Sequence, residues 1–540
     1  NILCAFTKRT TLFSYKLFRL VISFFFIKRS IFIADSRSRY KTKMSVKVFA
    51  VMWLGLLAVS TCIAEDSKVV CYYGSWAVYR PGSGKFDVED IDPSICTHVI
   101  YAFAGINPDT SEIKVLDPWN DLPDNYGKNA YGRFTGLKSQ NPKLRTMLAI
   151  GGWNEGSVKY SKMASSSTTR SIFIKSVVKL MQEHGFDGFD LDWEYPANRG
   201  GSPQDKKNFA LLVRELRKEF NLHGFLLSAA VGVGSDKIDT AYDVPALAQN
   251  LDFINLMTYD LHGSWDRETG HHTALRPRPE EVGNQRKLNL EWAVARWMQL
   301  GAPAEKLVLG LASYGRTFTL LSSSKAGLGA PTTGPGSRGP LTREAGFLGY
   351  NEICSSTEGW KKTVNPQIGA PYVSKGNQWV GYDDLESIKM KSQWGKSLGL
   401  GGAMLWSIET DDFHGLCGQG KFPILNTINS IWRGGKPVVV RPTTDRPISS
   451  STTTTYPAPS TSTTTPSTTT ITITDGTIQD CRVNGFIRDP RDCTKFYHCY
   501  QTSEGWSSAA FNCPERLVFN AKGLYCDWPK NVPDCGIIPY

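Results

Sequence analysis

The run Asp187-Gly-Phe-Asp190-Leu-Asp192-Trp-Glu194-Tyr195-Pro196 places Asp190, Asp192 and Glu194 at alternate positions, with bulky apolar residues between them. On an extended strand alternate side chains share one face, about 7 Å apart. The three carboxyls would then line up together, with Leu191 and Trp193 facing the other way. Crowding them makes full ionisation costly, so at least one should keep its proton near neutrality. A calcium loop also uses alternating acids, but it sets Gly and polar residues between its ligands, not Phe189, Leu191 and Trp193. The chemistry that fits is general acid–base work, such as protonation of a glycosidic oxygen.

Positioning such a column needs a rigid frame. KVVCYY (68–73), HVIYAF (98–103), LRTMLAI (144–150), GFDGFDLDW (185–193), FLLSAAV (225–231), LDFINLM (251–257), KLVLGLA (306–312) and LGGAMLW (399–406) read as eight strands. Stretches with helical apolar spacing lie between them, among them Ser171–His184 and Lys206–Phe220. Repeated strand–helix units predict an α/β fold, a (β/α)8 TIM barrel whose site lies at the C-terminal ends of the strands. The acidic run would be the fourth strand. Residues 316–385 are too many for one loop and are expected to form a small α+β insertion domain.

These residues carry a resemblance. DGFDLDWEYP matches the DxxDxDxE signature of glycoside hydrolase family 18, the chitinase family. CYYGSWAVYRPG (71–82), THVIYAFAGI (97–106), AIGGWNEG (149–156), MTYDLHGSW (257–265), SYGRTFTL (313–320) and GGAMLWSIETDDF (401–413) resemble further blocks of that family, in its order. The resemblance implies an endo-acting chitinase that cleaves β-1,4 linkages between N-acetylglucosamine units with retention and without a protein nucleophile. Glu194 would be the general acid and base, and Asp192 would stabilise an oxazolinium intermediate. Asp190 would share a proton with Asp192, and Tyr259 would orient the substrate's acetamido group. No metal or cofactor is implied. By the same resemblance Tyr72, Trp76, Trp119, Gly151, Gly152, Trp153, Asn154, Tyr195, Met257, Asp260, Arg316 and Trp406 are candidate substrate contacts. Trp406 would form the floor and Trp153 the product side. His262 is read as structural rather than as a second base. Trp292, Trp297 and Trp432, in helix-like stretches, are read as core. A non-catalytic chitin lectin and an endo-β-N-acetylglucosaminidase acting on N-glycans are the alternatives.

Composition divides the rest. Thr, Ser and Pro dominate residues 437–478, a linker with almost nothing to bury. Beyond it, Cys481, Cys493, Cys499, Cys513, Cys526 and Cys535 staple a small module at 479–540. Six cysteines permit about fifteen pairings, and spacing alone selects none. Their order, with Phe496-Tyr497-His498-Cys499 and Cys526-Asp527-Trp528-Pro529, resembles the peritrophin-A type of chitin-binding module. That resemblance implies Cys481–Cys499, Cys493–Cys535 and Cys513–Cys526, and the barrel family implies Cys71–Cys96 and Cys354–Cys417. Tyr497, Trp506 and Trp528 are candidates for stacking on chitin.

The formal charge of +11 over 540 residues is concentrated near the start, where ten of the basic residues precede Met44. Residues 1–43 are expected to be an upstream segment foreign to the mature protein, and 44–64 a signal peptide with Lys47 before an apolar run. The catalytic region is read as 65–436. Without residues 1–64 the chain is nearly neutral, which removes the electrostatic case for a nucleic-acid or membrane partner. The expected partners are chitin and chito-oligosaccharides, acted on by a secreted, extracellular monomer. Modules of this type are associated with gut lining or cuticle.

Overall fold

The computed structural model describes residues 67–434, except 358, 366 and 367, and parts of 473–532, many of those by backbone alone. The upstream segment, the signal peptide and most of the linker lie outside the described residues.

Alternation along the strands sets the layers. Eight parallel strands, β1 (Lys68–Gly74), β2 (His98–Ile106), β3 (Arg145–Gly151), β4 (Gly188–Asp192), β5 (Leu226–Val231), β6 (Phe253–Leu256), β7 (Leu307–Ala312) and β8 (Gly402–Trp406), pair in sequence order. β8 pairs with β1 and closes a barrel. Each overlaps one of the runs expected to be a strand. Val70, Tyr72, Ile100, Met147, Ala149 and Met404 fill the interior. Val69, Cys71, Tyr73, Val99, Leu148 and Ile150, their neighbours in sequence, face outward into the helix-covered layer. Phe189 and Leu191 of β4 also face outward, which leaves Asp190 and Asp192 pointing into the barrel.

The helices answer that outer layer. In α1 (Ser167–His184), Phe173, Ile174, Val177, Val178 and Met181 form one buried stripe. Burying a side chain of this size contributes about 1.5–3 kcal/mol. The Ser166 hydroxyl caps the start by accepting from the Thr169 amide at 3.1 Å, and Gly185 ends the helix at φ 74°, where a side chain would be strained. The next helix, α2 (Asp205–His223), buries Phe209, Leu212, Val213, Leu216 and Phe220 in the same way.

Between β7 and β8 the chain builds a separate antiparallel sheet around Tyr314–Leu320, Ala370–Lys375 and Gln378–Gly381, with the helix Tyr350–Ser356 beside it. It begins two residues after β7, so Arg316 projects from a strand close to the barrel mouth. Helix α3 (Leu385–Ser397) leads back to β8. Cys71–Cys96 and Cys354–Cys417 are disulfides, the pairings that the family resemblance implies. Among the described residues no helix is long and apolar enough to cross a membrane.

Residues 443–540 form a second compact unit. Inside the span read as linker, Ile473–Thr474 pairs with Thr477–Ile478. The module's sheet comprises Gly485–Arg488, Lys495–Thr502 and Gly505–Asn512. Cys493, Cys499 and Cys513 are disulfide-bonded. The partners expected for them, Cys535, Cys481 and Cys526, fall outside the described side chains. One expectation is corrected here. Tyr497 is 4% exposed, and its hydroxyl donates to Asp489 at 2.9 Å, so it serves the module's thin core and offers no face to a sugar. The side chains of Trp506 and Trp528 lie outside the described residues.

Candidate active site

The register of β4 against its neighbours builds the floor of the site. Asp190 lies beside Ser228 of β5, and the Ser228 hydroxyl donates to Asp190 Oδ1 at 2.5 Å. The Tyr72 hydroxyl, from β1, donates to Oδ2 at 2.7 Å, and Asn255 Nδ2, from β6, reaches Oδ1 at 3.4 Å. All four side chains are buried. Burial pushes the Asp190 carboxyl up to about 6, although all three donors favour its charged form.

One step higher, Asp192 is also buried, and its Oδ1 has no hydrogen-bond partner. Burial first, then the neighbouring charges of Glu194 and Asp190, hold its carboxyl well above the usual range. Glu194 sits two residues past the end of β4, half-buried at the barrel mouth. Burial raises its carboxyl to about 7, and Asp260 adds to the rise. A hydrogen bond from Tyr195 and the positive charge of Arg199 oppose it. The expected column is therefore present, with Glu194 at its open end.

The β3 end keeps a narrow space beside this column. Gly151 and Gly152 adopt φ of 119° and 81°, and the Gly152 amide donates to the Asp192 carbonyl at 2.9 Å. A Cβ on Gly151 would stand 2.0 Å from that carbonyl oxygen, so only glycine fits.

Across the mouth, Tyr259 is nearly buried, its hydroxyl 3.6 Å from Met404 Sδ. Asp260 accepts a two-pronged contact from Arg316, at 2.7 Å from Nε and 2.6 Å from Nη2, and a third hydrogen bond from the Tyr314 hydroxyl at 2.7 Å. Burial works against its charge, yet the Arg316 guanidinium holds the carboxyl well below the ordinary range. Asp260 thus stays ionised where Glu194 tends to stay protonated.

Aromatic rings border the mouth. Trp406 lies half-buried at the end of β8, with Tyr72 at 5.3 Å, Phe103 at 5.8 Å and Trp76 at 6.2 Å between ring centroids. Trp76 is exposed and stacks on Phe103. Trp119 is exposed and stacks on Tyr79, and Trp153, 60% exposed, lies under the Arg199 guanidinium. Flat, partly exposed rings around two protonatable carboxyls suit the apolar C–H faces of a polymer of pyranose sugars.

Residues 68–411 match the family described as Glycosyl hydrolases family 18. The chain belongs to glycosyl hydrolases family 18. Residues 481–535 match a second family, the Chitin binding Peritrophin-A domain. Mouse chitotriosidase-1 is 37% identical over 499 residues, spanning 89% of this chain and 100% of that protein. The endochitinase of Manduca sexta is 43% identical over 390 residues, 70% of each chain. The crystal structure of an Ostrinia furnacalis Group IV chitinase in complex with allosamidin aligns with a TM-score of 0.66 at 44% identity, covering 68% of this chain and 99% of that one.

The family 18 domain assembles its candidate residues unevenly. Trp76, Trp119, Trp153 and Asn154 are exposed, and Tyr195, Arg316 and Trp406 are half-buried at the mouth. Tyr72 instead lies fully buried beneath it, serving Asp190 and underlying Trp406, and Met257 is nearly buried beside Tyr259. Asp190 accepts from Tyr72 at Oδ2 and from Ser228 at Oδ1, and Asp192 Oδ1 has no hydrogen-bond partner. His262 pairs with Asp266 at 3.0 Å, in keeping with a structural role. Trp297 and Trp432 are buried, and Trp292 is partly buried against the same core.

Ser228, Asn255, Tyr314, Tyr79 and Arg199 were not picked out from sequence. For Ser228 and Asn255 a signal existed, since each is the lone polar residue in an otherwise apolar strand core. Among the described residues the only trio of metal-ligating type is Cys354, Asp412 and Cys417, whose two sulfurs are joined to each other.

Proposed function

We propose that the family 18 domain hydrolyses internal β-1,4 linkages of chitin with retention, Glu194 supplying the proton and the substrate's own acetamido group supplying the nucleophile. The observation that carries the assignment of Glu194 is the graded column: Asp190 locked by three donors, Asp192 short of one, and Glu194 at the open end with its carboxyl near 7. Glu194 protonates the glycosidic oxygen as the bond to the anomeric carbon breaks. The acetamido oxygen closes onto that carbon from the other face and leaves an oxazolinium ion. Asp192, whose Oδ1 is buried without a hydrogen-bond partner, accepts the acetamido N–H and stabilises the cation. Tyr259 donates to the acetamido carbonyl and fixes its approach. Glu194, now ionised, takes a proton from water, which opens the ring with a second inversion and restores the original configuration.

Trp406 supports the sugar whose bond is cut, Trp153 extends the product side, and Trp76 and Trp119 extend the other. Asp260 with Arg316 keeps a fixed negative charge near Glu194 and so favours its protonated form. The C-terminal module holds the enzyme on insoluble chitin.

The protein acts as a secreted monomer without nucleic-acid or membrane partners. Support comes from the disulfides Cys71–Cys96 and Cys354–Cys417, which persist in oxidising compartments, and from the near-neutral charge beyond residue 64.

Glu194→Gln tests the reading. The variant should bind chito-oligosaccharide with an affinity close to the parent's while hydrolysis of colloidal chitin drops by about 10³-fold or more. Turnover within a few-fold of the parent would remove Glu194 from the role of donor.

A further inference from the structure

The turn that follows Glu194 carries a cation which no part of the mechanism above uses. Arg199 projects from the segment Tyr195–Gly200. The turn is closed by the Asn198 amide donating to the Tyr195 carbonyl at 3.0 Å. It is anchored by buried Asp205, whose Oδ2 accepts from the Ala197 and Ser202 amides at 3.2 and 2.8 Å. On that fixed base the Arg199 guanidinium lies 3.7 Å above the centroid of the Trp153 ring. Its Nη1 donates to the Trp153 carbonyl at 2.9 Å and to the Glu194 carbonyl at 3.0 Å.

One side chain therefore grips an aromatic ring after β3 and the main chain of the proton donor after β4. The ring stays 60% exposed, so a face remains open for a sugar. Resting on the reading of Glu194 as donor and Trp153 as a sugar platform, we propose that Arg199 is a positioning residue that serves both from one side chain: it steadies the Trp153 ring and, independently of the ring, holds a positive charge beside Glu194.

Three consequences separate this from a surface ornament. Cation–ring contact at a partly exposed site is worth a modest factor in affinity, so removing Arg199 should let the Trp153 platform loosen. Groups facing Glu194 are Asp192 below it, Asp260 and Tyr259 from the loop after β6, and Tyr195 and Tyr242 beside it. Arg199 sets a positive charge against these acids. Without it the carboxyl of Glu194 should hold its proton to higher pH. Finally, the effect on binding should run through Trp153 alone.

The test uses the full-length protein and a soluble N-acetylated chitohexaose, with KM, kcat and the pH profile of kcat/KM measured for Arg199→Met, Arg199→Lys, Trp153→Ala and the Met/Ala double variant. Arg199→Met should raise KM about three- to tenfold and move the basic limb of kcat/KM to higher pH. Arg199→Lys should keep the limb in place while recovering only part of KM. In the Trp153→Ala background, adding Arg199→Met should leave KM unchanged and still move the limb. If either KM or the limb stays at the parent's value in Arg199→Met, or if the two substitutions act additively on KM, the proposal is overturned. Should Arg199→Met not fold, Arg199→Gln, which keeps donors without charge, carries the same expectations. Glu194→Gln is assayed alongside: turnover in that variant would fault the donor assignment itself, whereas its inactivity with unresponsive Arg199 variants would fault only the role given to Arg199.

Discussion

At the scale of residues, the site stores its acidity at a cost in stability. Asp190 and Glu194 have carboxyls raised to about 6 and about 7 in the folded protein, against ordinary values near 4. Between those limits the folded state binds more protons than the unfolded one. Their stabilising contribution is therefore complete below about pH 4 and is lost as pH rises through 6 to 7. Glu194→Gln cannot ionise, so it escapes its share of that loss. We expect calorimetry to find it melting close to the parent near pH 4 and roughly a few degrees higher at pH 8. Equal melting temperatures at both pH values would mean that Glu194 is not a raised acid. Catalysis should follow the same group, with kcat/KM falling above about pH 7 as Glu194 ionises. The alternation of Asp190, Asp192 and Glu194 was legible in ten residues of sequence. What holds them was less so. Ser228 and Asn255 come from strands far along the chain, and only the pairing of β4 with β5 and β6 sets their polar atoms beside Asp190. Tyr72 and Tyr497 show the converse limit: an aromatic residue in a sugar-binding motif can be a support or a platform, and burial decides which.

Among the elements, the insertion sheet is pinned to the barrel by a buried ion pair. Lys391 of α3 contacts Asp383 at 2.5 Å with both side chains fully buried, and its Nζ also donates to Thr273 Oγ1 at 3.0 Å. The Thr273 hydroxyl and the Ser387 hydroxyl donate to the same aspartate. This cluster joins the loop after β6, the end of the insertion and the helix before β8, the segments around Asp260, Arg316 and Trp406. Lys391→Met would leave Asp383 buried and unpaired, at a cost of about 3–5 kcal/mol. Denaturant unfolding should register that loss; a change below about 1 kcal/mol would place the pair in water instead. The eight barrel strands were legible because each is a compact β-branched or apolar run. The fourth ends earlier than the run GFDGFDLDW suggests. Trp193 Nε1 turns away to donate to Ser157 at 2.6 Å, and the Glu194 carbonyl accepts from Arg199. The insertion's strands, such as Thr332–Pro335 and Phe347–Gly349, were hidden because they are short and carry Gly, Thr and Pro.

For the whole molecule, the chain divides into two compact units, residues 1–442 and 443–540. A tether to an insoluble surface raises local enzyme concentration without touching the chemistry. Removing residues 443–540 should leave kcat/KM on a soluble hexasaccharide within about twofold while lowering the rate on insoluble chitin about tenfold or more. Equal losses on both would show that the module serves the barrel's stability. Composition and cysteine spacing made this division legible, since a segment with nothing to bury cannot be core. The central claim is that the nucleophile belongs to the substrate. Its most direct test compares initial cleavage rates for a fully N-acetylated chitohexaose and the same oligomer without its acetyl groups. We predict loss of cleavage by about 10³-fold or more for the deacetylated oligomer, the order expected when an intramolecular nucleophile is removed; cleavage of both at similar rates would contradict it.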